Sequence, residues 1–367
     1  PPPPPPPPPL FFYTTKTQTQ ILSGLVGSEM CIRDSSCTKE EFEGPSIDIL
    51  YGDFELIEPL TLTNKNPNFS SNEQVGFHCV FNKPVEWKIS ILGVNTNAYR
   101  EISGFSSIID SNIVLWNGGP SQLPFFSEEE CTIELTIENE VDTLRDTITI
   151  VSSKTYEDGI WLEDFENGLP SNSIVYYNTD GGGMTFSVEN DNALLGSSYF
   201  KMGGRVNWDW PLGNLDIPIN INNVNQNSDN LFVNIGILSD LEDLHTGQFI
   251  NILISEEIDT PFNDNLNNNA SDLFESTMEV YKMKVFVDWD GWQMKSFRYS
   301  DFEPVSPNNQ DINFDMNPND IRAIRISCQA CPSSSGNPIC PENFGKDVRT
   351  DIDHIIFTAN SRLLDQY

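Results

Sequence analysis

The stretch Cys131-Thr132-Ile133-Glu134-Leu135-Thr136-Ile137 alternates apolar and polar residues along its length. A period of two places successive side chains on opposite faces of a β-strand, so this stretch predicts a strand with one buried face. Similar short segments, including Leu231-Phe232-Val233-Asn234-Ile235-Gly236-Ile237-Leu238, recur on both sides of it between Asn, Pro and Gly turn signals. Few segments have helical period. The sequence therefore predicts an all-β protein.

The composition limits the classes of partner. The chain has 367 residues, of which 38% are hydrophobic, and 54 Asp and Glu residues against 20 Lys and Arg residues give a net charge of −34. This apolar content suffices for two hydrophobic cores. Binding to a phosphate backbone requires a basic surface, so nucleic acids and anionic membrane surfaces are poor partners. After position 35 no apolar run approaches the roughly 20 residues of a transmembrane helix, so any membrane link is expected to be an anchor.

The first 35 residues do not look like part of a fold. Nine consecutive prolines open the chain, and the ten residues from Leu25 to Asp34 resemble the translation of a sequencing adapter. We therefore interpret residues 1–35 as a disordered artefact. The alternative is a Pro-rich linker.

Residues 36–46 resemble the start of a mature bacterial lipoprotein. Cys37 is followed at once by the charged stretch Lys39-Glu40-Glu41. The resemblance implies that Cys37 carries a lipid, that residues 36–46 form a tether, and that the protein is exported to the outer membrane or cell surface. Asp34 departs from the pattern, because an apolar residue normally stands three positions before the cysteine. The alternative is a free cysteine.

Residues 47–152 resemble an immunoglobulin-like sandwich, in which two cysteines flank a core tryptophan. Cys79 and Cys131 lie in separate predicted strands, and Trp87 lies in the strand after Cys79. The resemblance implies a Cys79–Cys131 disulfide, which requires an oxidising compartment. The gap from Cys79 to Trp87 is shorter than in antibody domains, and Glu129 stands where those domains carry tyrosine. A polar linker, residues 153–159, follows.

Residues 160–359 resemble the galactose-binding-like jelly rolls of carbohydrate-binding modules, especially the family 11 type, and residues 360–367 form a tail. Three stretches carry the resemblance, namely Leu162-Glu163-Asp164-Phe165-Glu166-Asn167-Gly168, the run from Asp288 to Phe302 that begins Asp-Trp-Asp-Gly-Trp, and Asp351-Ile352-Asp353-His354-Ile355-Ile356-Phe357-Thr358. The resemblance implies a jelly roll that binds polysaccharide, with a structural calcium between the first and last strands. The oxygen ligands expected for it are Asp164, Glu166, Asp180 and Asp353. The alternative is a set of solvated acidic strand ends.

Aromatic residues of the second region are candidates for stacking on sugar rings. The aromatic candidates are Trp208, Trp210, Trp289, Tyr176, Tyr177 and Tyr199, and their polar partners are Lys201, Arg205, Asn207 and Asp209. Trp208 and Trp210 would point the same way on a strand. The alternative is that these aromatics fill the core of the sandwich.

Cysteine spacing and catalytic motifs complete the prediction. We expect a disulfide between Cys331 and Cys340, with a zinc site of Cys328, Cys331, Cys340 and His354 as the alternative. The chain has three histidines and lacks the nucleophile elbow and the paired histidines of metalloproteases, so we expect no enzyme. The sequence predicts a monomeric, non-catalytic polysaccharide-binding lipoprotein. The alternatives are an adhesive or structural surface protein and a glycan-degrading enzyme.

Overall fold

The computed structural model describes residues 52–177, 183–206, 212–221, 224, 227–239, 248–256, 279–305, 313–329 and 345–366. Within these residues the regular structure consists of β-strands and short 3-10 helices, and all paired strands are antiparallel. The predicted all-β fold class is confirmed. The 3-10 helices are Phe69–Ser71, Ser228–Asn230, Tyr299–Asp301, Pro318–Asp320 and Leu364–Gln366. None of the helices described here has the length and hydropathy needed to cross a bilayer.

The first region forms one six-stranded sheet around a long, irregular strand. Its strands are β1 (Leu56–Leu62), β2 (Val75–Gly93), β3 (Tyr99–Ile109), β4 (Leu115–Trp116), β5 (Glu130–Ile137) and β6 (Leu144–Thr149), joined in the order β1-β2-β5-β6 with β3 and β4 also paired to β2. The register of β2 against β3 shifts between Val80 and Val85. The two halves of β2 therefore have different partners, β1 and β4 before the shift and β5 after it. Phe77, Ile89 and Trp116 pack in the core.

The disulfide predicted for this region is wrong. Cys79 and Cys131 are both buried free thiols. Cys131 lies opposite Gly93 at the C-terminal end of β2, whereas Cys79 lies near the N-terminal end of the same strand. At about 3.3 Å per residue this separation far exceeds the roughly 7 Å between Cα atoms that a disulfide spans. The immunoglobulin-like assignment, with Trp87 buried as expected, stays a prediction.

The second region is a jelly-roll sandwich of two six-stranded sheets. Sheet I has the order β15-β12-β18-β10-β9, with β7 also paired to β18, and sheet II has the order β16-β14-β13-β17-β11-β8. The strands are β7 (Trp161–Glu163), β8 (Ile174–Tyr177), β9 (Thr185–Glu189), β10 (Tyr199–Arg205), β11 (Gly213–Pro218), β12 (Leu231–Ser239), β13 (Phe249–Ser255), β14 (Val280–Phe286), β15 (Gly291–Arg298), β16 (Glu303–Pro304), β17 (Ala323–Gln329) and β18 (Asp347–Ala359).

Alternate residues of the two sheets meet in one core. Ile235 and Ile237 of sheet I and Ile252, Ile254 and Ile326 of sheet II are fully buried in the same apolar cluster. Because successive side chains point to opposite faces, the residues between them lie on the outer faces of the sandwich. The composition of those outer faces distinguishes the two sheets.

The outer face of sheet I carries an apolar cover. Ile356 of β18 packs with Phe125 and Tyr156, and Leu194 and Leu195 lie against this cluster. Gly236 permits the close approach of this loop, since a Cβ atom there would lie 2.3 Å from a methyl carbon of Leu194. The cover includes residues of the first region, and Phe54–Tyr367 form one compact unit. The domain boundary predicted at residues 153–159 stays a prediction.

Candidate functional site

The outer face of sheet II carries a row of polar side chains, one from each of five neighbouring strands. Strand register places Lys284, Asn251, Ser327, Asn214 and Tyr176 directly beside one another. We call this row the polar ladder. At about 4.8 Å between strands it spans roughly 19 Å. Its ends are accessible, because Lys284 is exposed and Tyr176 is half-buried, whereas Asn214 and Ser327 in the middle are buried.

Local sequence explains why these side chains face outward. Leu215, Ile252 and Ile326, each adjacent in sequence to a ladder residue, are fully buried in the core. The period of two then places Asn214, Asn251 and Ser327 on the opposite face. A sheet face that only met water would tolerate any polar residue, but buried polar groups require partners. Asn214 and Ser327 are therefore unusual for the outer face of a sheet, because they are polar side chains that are buried and need hydrogen-bond partners.

A buried ion pair lies in the row beside the ladder. Arg325 donates from Nε to Oδ1 of Asp216 at 2.6 Å and from Nη2 to Oδ2 at 2.8 Å. Both side chains are almost completely buried. Burial raises the pKa of Asp216, and the hydrogen bonds from Arg325 oppose this rise. The carboxylate of Asp216 is thus held by its partner rather than available for proton transfer.

Asn214 has a buried acceptor without a partner. Its Nδ2 donates to Oδ1 of Asp216 at 2.9 Å, but its own Oδ1 accepts no hydrogen bond. An unpaired buried carbonyl oxygen costs about 1–3 kcal/mol, and such atoms are rare in folded proteins. The ladder therefore contains a buried acceptor whose hydrogen-bonding capacity the described residues leave unused.

Aromatic rings and a cation lie at the Lys284 end of the ladder. The ammonium of Lys284 lies 3.9 Å from the ring centroid of Phe249 and 4.7 Å from that of Phe286. The two rings are neighbours, with centroids 6.0 Å apart. Phe286 is 54% exposed. This end combines an open aromatic surface with a fixed positive charge.

The sugar-stacking residues predicted from sequence only partly fall within the described chain. Trp208, Asp209 and Trp210 lie outside the described residues, so their roles stay predictions, as does that of Asn207. Arg205 ends β10 and is exposed, with its Nε 3.2 Å from Oδ1 of Asp347. Tyr177 ends β8 and stacks on Phe186 with centroids 5.5 Å apart. The structure thus places Arg205 and Tyr177 on different sheets.

The remaining aromatic candidates have structural contacts. Trp289 is buried, with the ammonium of Lys295 3.9 Å above its ring, which favours the core interpretation. Tyr199 is fully buried on sheet I, and its hydroxyl donates to Asp191. Tyr176 lies in the polar ladder. The sequence analysis missed Asn214, Asn251, Ser327 and Lys284. The available signal was that each of them is a polar residue in a strand whose apolar residues face the core.

The predicted calcium ligands bind a loop in this structure. Glu166 accepts the backbone N–H groups of Ser197 and Ser198, both at 2.7 Å, on Oε1. Asp353 accepts the backbone N–H groups of Leu194 and Leu195 on Oδ2. Oε1 of Glu166 and Oδ2 of Asp353 thus each accept two hydrogen bonds, which occupy their lone pairs. A calcium ion would have to use the other oxygen of each carboxylate.

Of the other two predicted calcium ligands, Asp164 lies within the described residues. Asp164 accepts the backbone N–H of Glu166 at 3.1 Å, and Asp180 lies outside the described residues. Burial raises the pKa of Asp353 to about 7, which opposes its ionisation in the absence of a cation. Calcium binding stays a prediction.

An acidic cluster lies at one end of sheet II, away from the ladder. Oxygen atoms of Glu256, Glu279 and Asp315 lie within 4.8 Å of one another. Tyr299 donates to Glu256 at 2.7 Å and Tyr281 donates to Glu279 at 2.5 Å. Burial raises the pKa of Glu256 to about 8, and the neighbouring carboxylates add to the rise. Glu256 is therefore a buried carboxyl group that binds a proton near neutral pH.

The cysteines of the second region cannot be paired from the described residues. Cys331 and Cys340, predicted to form a disulfide, lie outside them, as does Cys37. Cys328 is a fully buried free thiol, and burial raises its pKa to about 12. His354, the fourth ligand of the alternative zinc site, has its Nε2 2.9 Å from the carbonyl oxygen of Tyr156, and burial lowers its pKa to about 4.

Comparisons with known proteins found low similarity. No protein-family model matches the chain, and no curated protein matches it. A cleaved adhesin domain of Lys-gingipain from Porphyromonas gingivalis is 13% identical, with 55% of this chain and 98% of that chain covered and a TM-score of 0.30. SGBP-B from a xyloglucan utilization locus of Bacteroides uniformis is 10% identical, with 82% and 74% covered and a TM-score of 0.32. A family 30 carbohydrate-binding module from Clostridium thermocellum is 10% identical, with 55% and 99% covered and a TM-score of 0.31.

Proposed function

We propose that this protein is a non-catalytic polysaccharide-binding protein of the cell surface, and that the polar ladder of sheet II is its binding site. The unpaired Oδ1 of Asn214 carries the proposal, because a sugar hydroxyl is a donor of the right kind for this buried acceptor. Export and a lipid on Cys37 belong to the same proposal.

The chemistry of the ladder suits a carbohydrate. Sugar hydroxyls both donate and accept hydrogen bonds, and the ladder offers the amide groups of Asn214 and Asn251, the hydroxyls of Ser327 and Tyr176, and the ammonium of Lys284. The rings of Tyr176 and Phe286 at the two ends offer surfaces for the apolar faces of pyranose rings. The length of roughly 19 Å suits a chain of several sugars rather than a monosaccharide.

Binding without catalysis fits the positions of the carboxylates. Asp216 lies two positions from Asn214 on β11, and Arg325 holds both of its oxygens. Glu256 and Glu279 lie next to Ser255 and Val280, at the opposite end of β13 and β14 from Phe249 and Phe286. General acid–base cleavage of a glycosidic bond needs two carboxyl groups beside the sugar. The described ladder does not supply them.

The test is affinity electrophoresis of the full chain in gels that contain soluble polysaccharides. We expect at least one polysaccharide to retard the protein, and Tyr176→Ala and Asn214→Ala to remove most of the retardation. Tyr177→Ala is the matched control, since Tyr177 is the neighbouring tyrosine and stacks on Phe186 instead. Retardation that survives Tyr176→Ala but is lost in Tyr177→Ala or Trp208→Ala would place the site at the loop end predicted from sequence. No retardation by any polysaccharide would overturn the proposal.

An adhesive function is the second candidate, and one observation favours it. Phe105, Ile108 and Ile113 of the first region are 61%, 52% and 77% exposed. Exposed apolar residues close together in sequence suit a protein–protein contact. Under this alternative, Phe105→Ser and Ile113→Ser would abolish adhesion to a protein-coated surface, and no polysaccharide would retard the unmodified protein.

A further inference from the structure

Two lysines lie side by side at one end of the polar ladder. Lys282 and Lys284 alternate with the inward-facing Met283 and Val285, so both face outward from β14, and both are exposed. Two positions along a strand correspond to about 7 Å, a distance that one anionic group can bridge. In a chain of net charge −34, this is a local positive surface.

The described residues do not pair these lysines with an acidic side chain. Neither makes a hydrogen bond or an ion pair in the described chain, although Glu303 lies opposite Lys282 on the edge strand. By contrast, Arg205 and Lys65 are bound to the carboxylates of Asp347 and Asp146. An excess of acidic residues makes carboxylate partners easy to supply, so two unpaired neighbouring lysines call for a functional explanation.

The phenylalanines hold Lys284 in place without cancelling its charge. Its ammonium lies between the rings of Phe249 and Phe286, which interact with a cation through their faces. Burial and the charge of Lys282 both lower the pKa of Lys284. A bound anion would oppose this lowering, because an opposite charge nearby favours the protonated form of Lys284.

We propose that Lys282 and Lys284 select polysaccharides that carry an anionic group, a uronate carboxylate or a sulfate ester, at the Phe286 end of the ladder. This inference rests on the proposed function. The ladder binds hydroxyls along the glycan, and the lysine pair binds the charged substituent of one sugar unit. The exposed ring of Phe286 lies beside that sugar.

The global charge limits which anions can bind. Nucleic acids carry a charge about every 1.7 Å, and the −34 protein repels such a dense polyanion. A glycan with one charge per sugar unit, or fewer, has a lower charge density than a nucleic acid. The negatively charged protein therefore repels it less strongly. Salt screens electrostatic interactions beyond about 10 Å at 0.1 M. The long-range repulsion by the net charge is therefore weakened, whereas the short-range contact with the lysine pair persists.

The test compares glycans that differ only in charge. Affinity electrophoresis of the full chain would use polygalacturonate against its methyl ester, for carboxylate, and carrageenan against chemically desulfated carrageenan, for sulfate. We expect stronger retardation by the anionic member of at least one pair, and the identity of that pair distinguishes uronate from sulfate. The double variant Lys282→Gln/Lys284→Gln should lose about tenfold or more in affinity for the anionic glycan, as expected for removal of charged hydrogen bonds.

Control variants separate this inference from the proposed function. Lys65→Gln/Lys88→Gln removes the same number of positive charges from the first region, outside both sheets of the sandwich, and should leave binding unchanged. The double lysine variant should weaken binding of neutral glycans much less than binding of anionic ones, because neutral glycans lose only the contact with the ammonium of Lys284, whereas Tyr176→Ala should remove binding to both classes. Equal retardation by charged and neutral members, or a preference that survives the double variant, would overturn the inference and leave the proposed function standing. No binding to any glycan would overturn both.

Discussion

Asn234 and Asn214 are buried asparagines on the outer faces of the two sheets of one sandwich, and their hydrogen bonding differs completely. On sheet I, Nδ2 of Asn234 donates to the carbonyl oxygen of Ile356 and to the hydroxyl of Thr358, while its Oδ1 accepts from Ser296 and from the backbone of Leu363. On sheet II, Asn214 has one partner for Nδ2 and none for Oδ1.

The difference separates a face that holds other parts of the chain from the face that we propose binds glycan. Sheet I uses its outer surface to hold a loop, the first region and the C-terminal turn, and Asn234 on that surface has partners for both groups of its amide. Sheet II keeps polar groups in a row and leaves one acceptor unpaired. A satisfied network stabilises the fold, whereas an unsatisfied group stores the energy that a ligand can recover.

The largest expected effect concerns the ion pair of sheet II. Arg325→Leu leaves the buried carboxylate of Asp216 without its partner and should lower the free energy of unfolding by about 3–5 kcal/mol. Urea denaturation would measure it. Arg349→Leu on sheet I is the matched variant and should cost less, because Arg349 is more exposed than Arg325 and its ion pair with Asp351 is therefore less buried. Equal losses in the free energy of unfolding for the two variants would show that the two sheets depend equally on these ion pairs.

The asparagine pair tests the comparison directly. Asn234→Ala should lower the free energy of unfolding by about 2–3 kcal/mol, because it removes several hydrogen bonds and leaves their buried partners unpaired. Asn214→Ala should cost less than about 1 kcal/mol and should instead reduce glycan binding. Denaturation and affinity electrophoresis of both variants give the two readouts. A large stability loss in Asn214→Ala with unchanged binding would assign sheet II a structural role as well.

The acidic cluster predicts a pH dependence that belongs to sheet II. The pKa of Glu256 rises from 4.5 to about 8 on folding, so the folded protein binds an extra proton between these values. Stability therefore falls as pH rises through this window, by up to about 1.4 kcal/mol per pH unit and by about 2 kcal/mol between pH 6 and 8. Glu256→Gln should flatten this slope in melting curves recorded with a chelator. Glu303→Gln, on the same sheet but exposed, is the control and should leave the slope unchanged.

The smallest effect is expected from reductant. In a Cys331→Ser/Cys340→Ser background, which removes the second predicted disulfide, reductant should leave the melting temperature unchanged, because Cys79, Cys131 and Cys328 are free. Removing a native disulfide typically costs about 2–5 kcal/mol. A clear drop in melting temperature with reductant would mean that the first region contains a bridge after all.

The fold class could be predicted from the sequence because the alternation of apolar and polar residues is visible within each short segment and recurs along the chain. The strands at Cys131, Leu231 and Asp351 are visible as short apolar alternations, and the structure contains all three. Trp87 was expected in a core and lies there. The disulfide failed because spacing along the chain does not reveal strand register, and register places Cys79 and Cys131 at opposite ends of β2.

The candidate site was only partly predictable for the same reason. Tyr176 was recognised as an aromatic that could stack on a sugar, but its neighbours in the ladder are distant in sequence, with Lys284 and Ser327 more than 100 positions away. Only the pairing of five strands brings them together. The net charge of −34 also concealed a local lysine pair, because a sum over the chain does not report where charges lie.

Strand β18 has a consequence for the order in which this protein can fold. Residues 347–359 pair with β12 and β10, and also with β7, which is formed by residues 161–163. During synthesis, β7 and β10 must therefore wait through more than 140 residues for their partner. Sheet I closes only when β18 has left the ribosome, whereas the first region, residues 56–149, contains all the strand partners it needs much earlier.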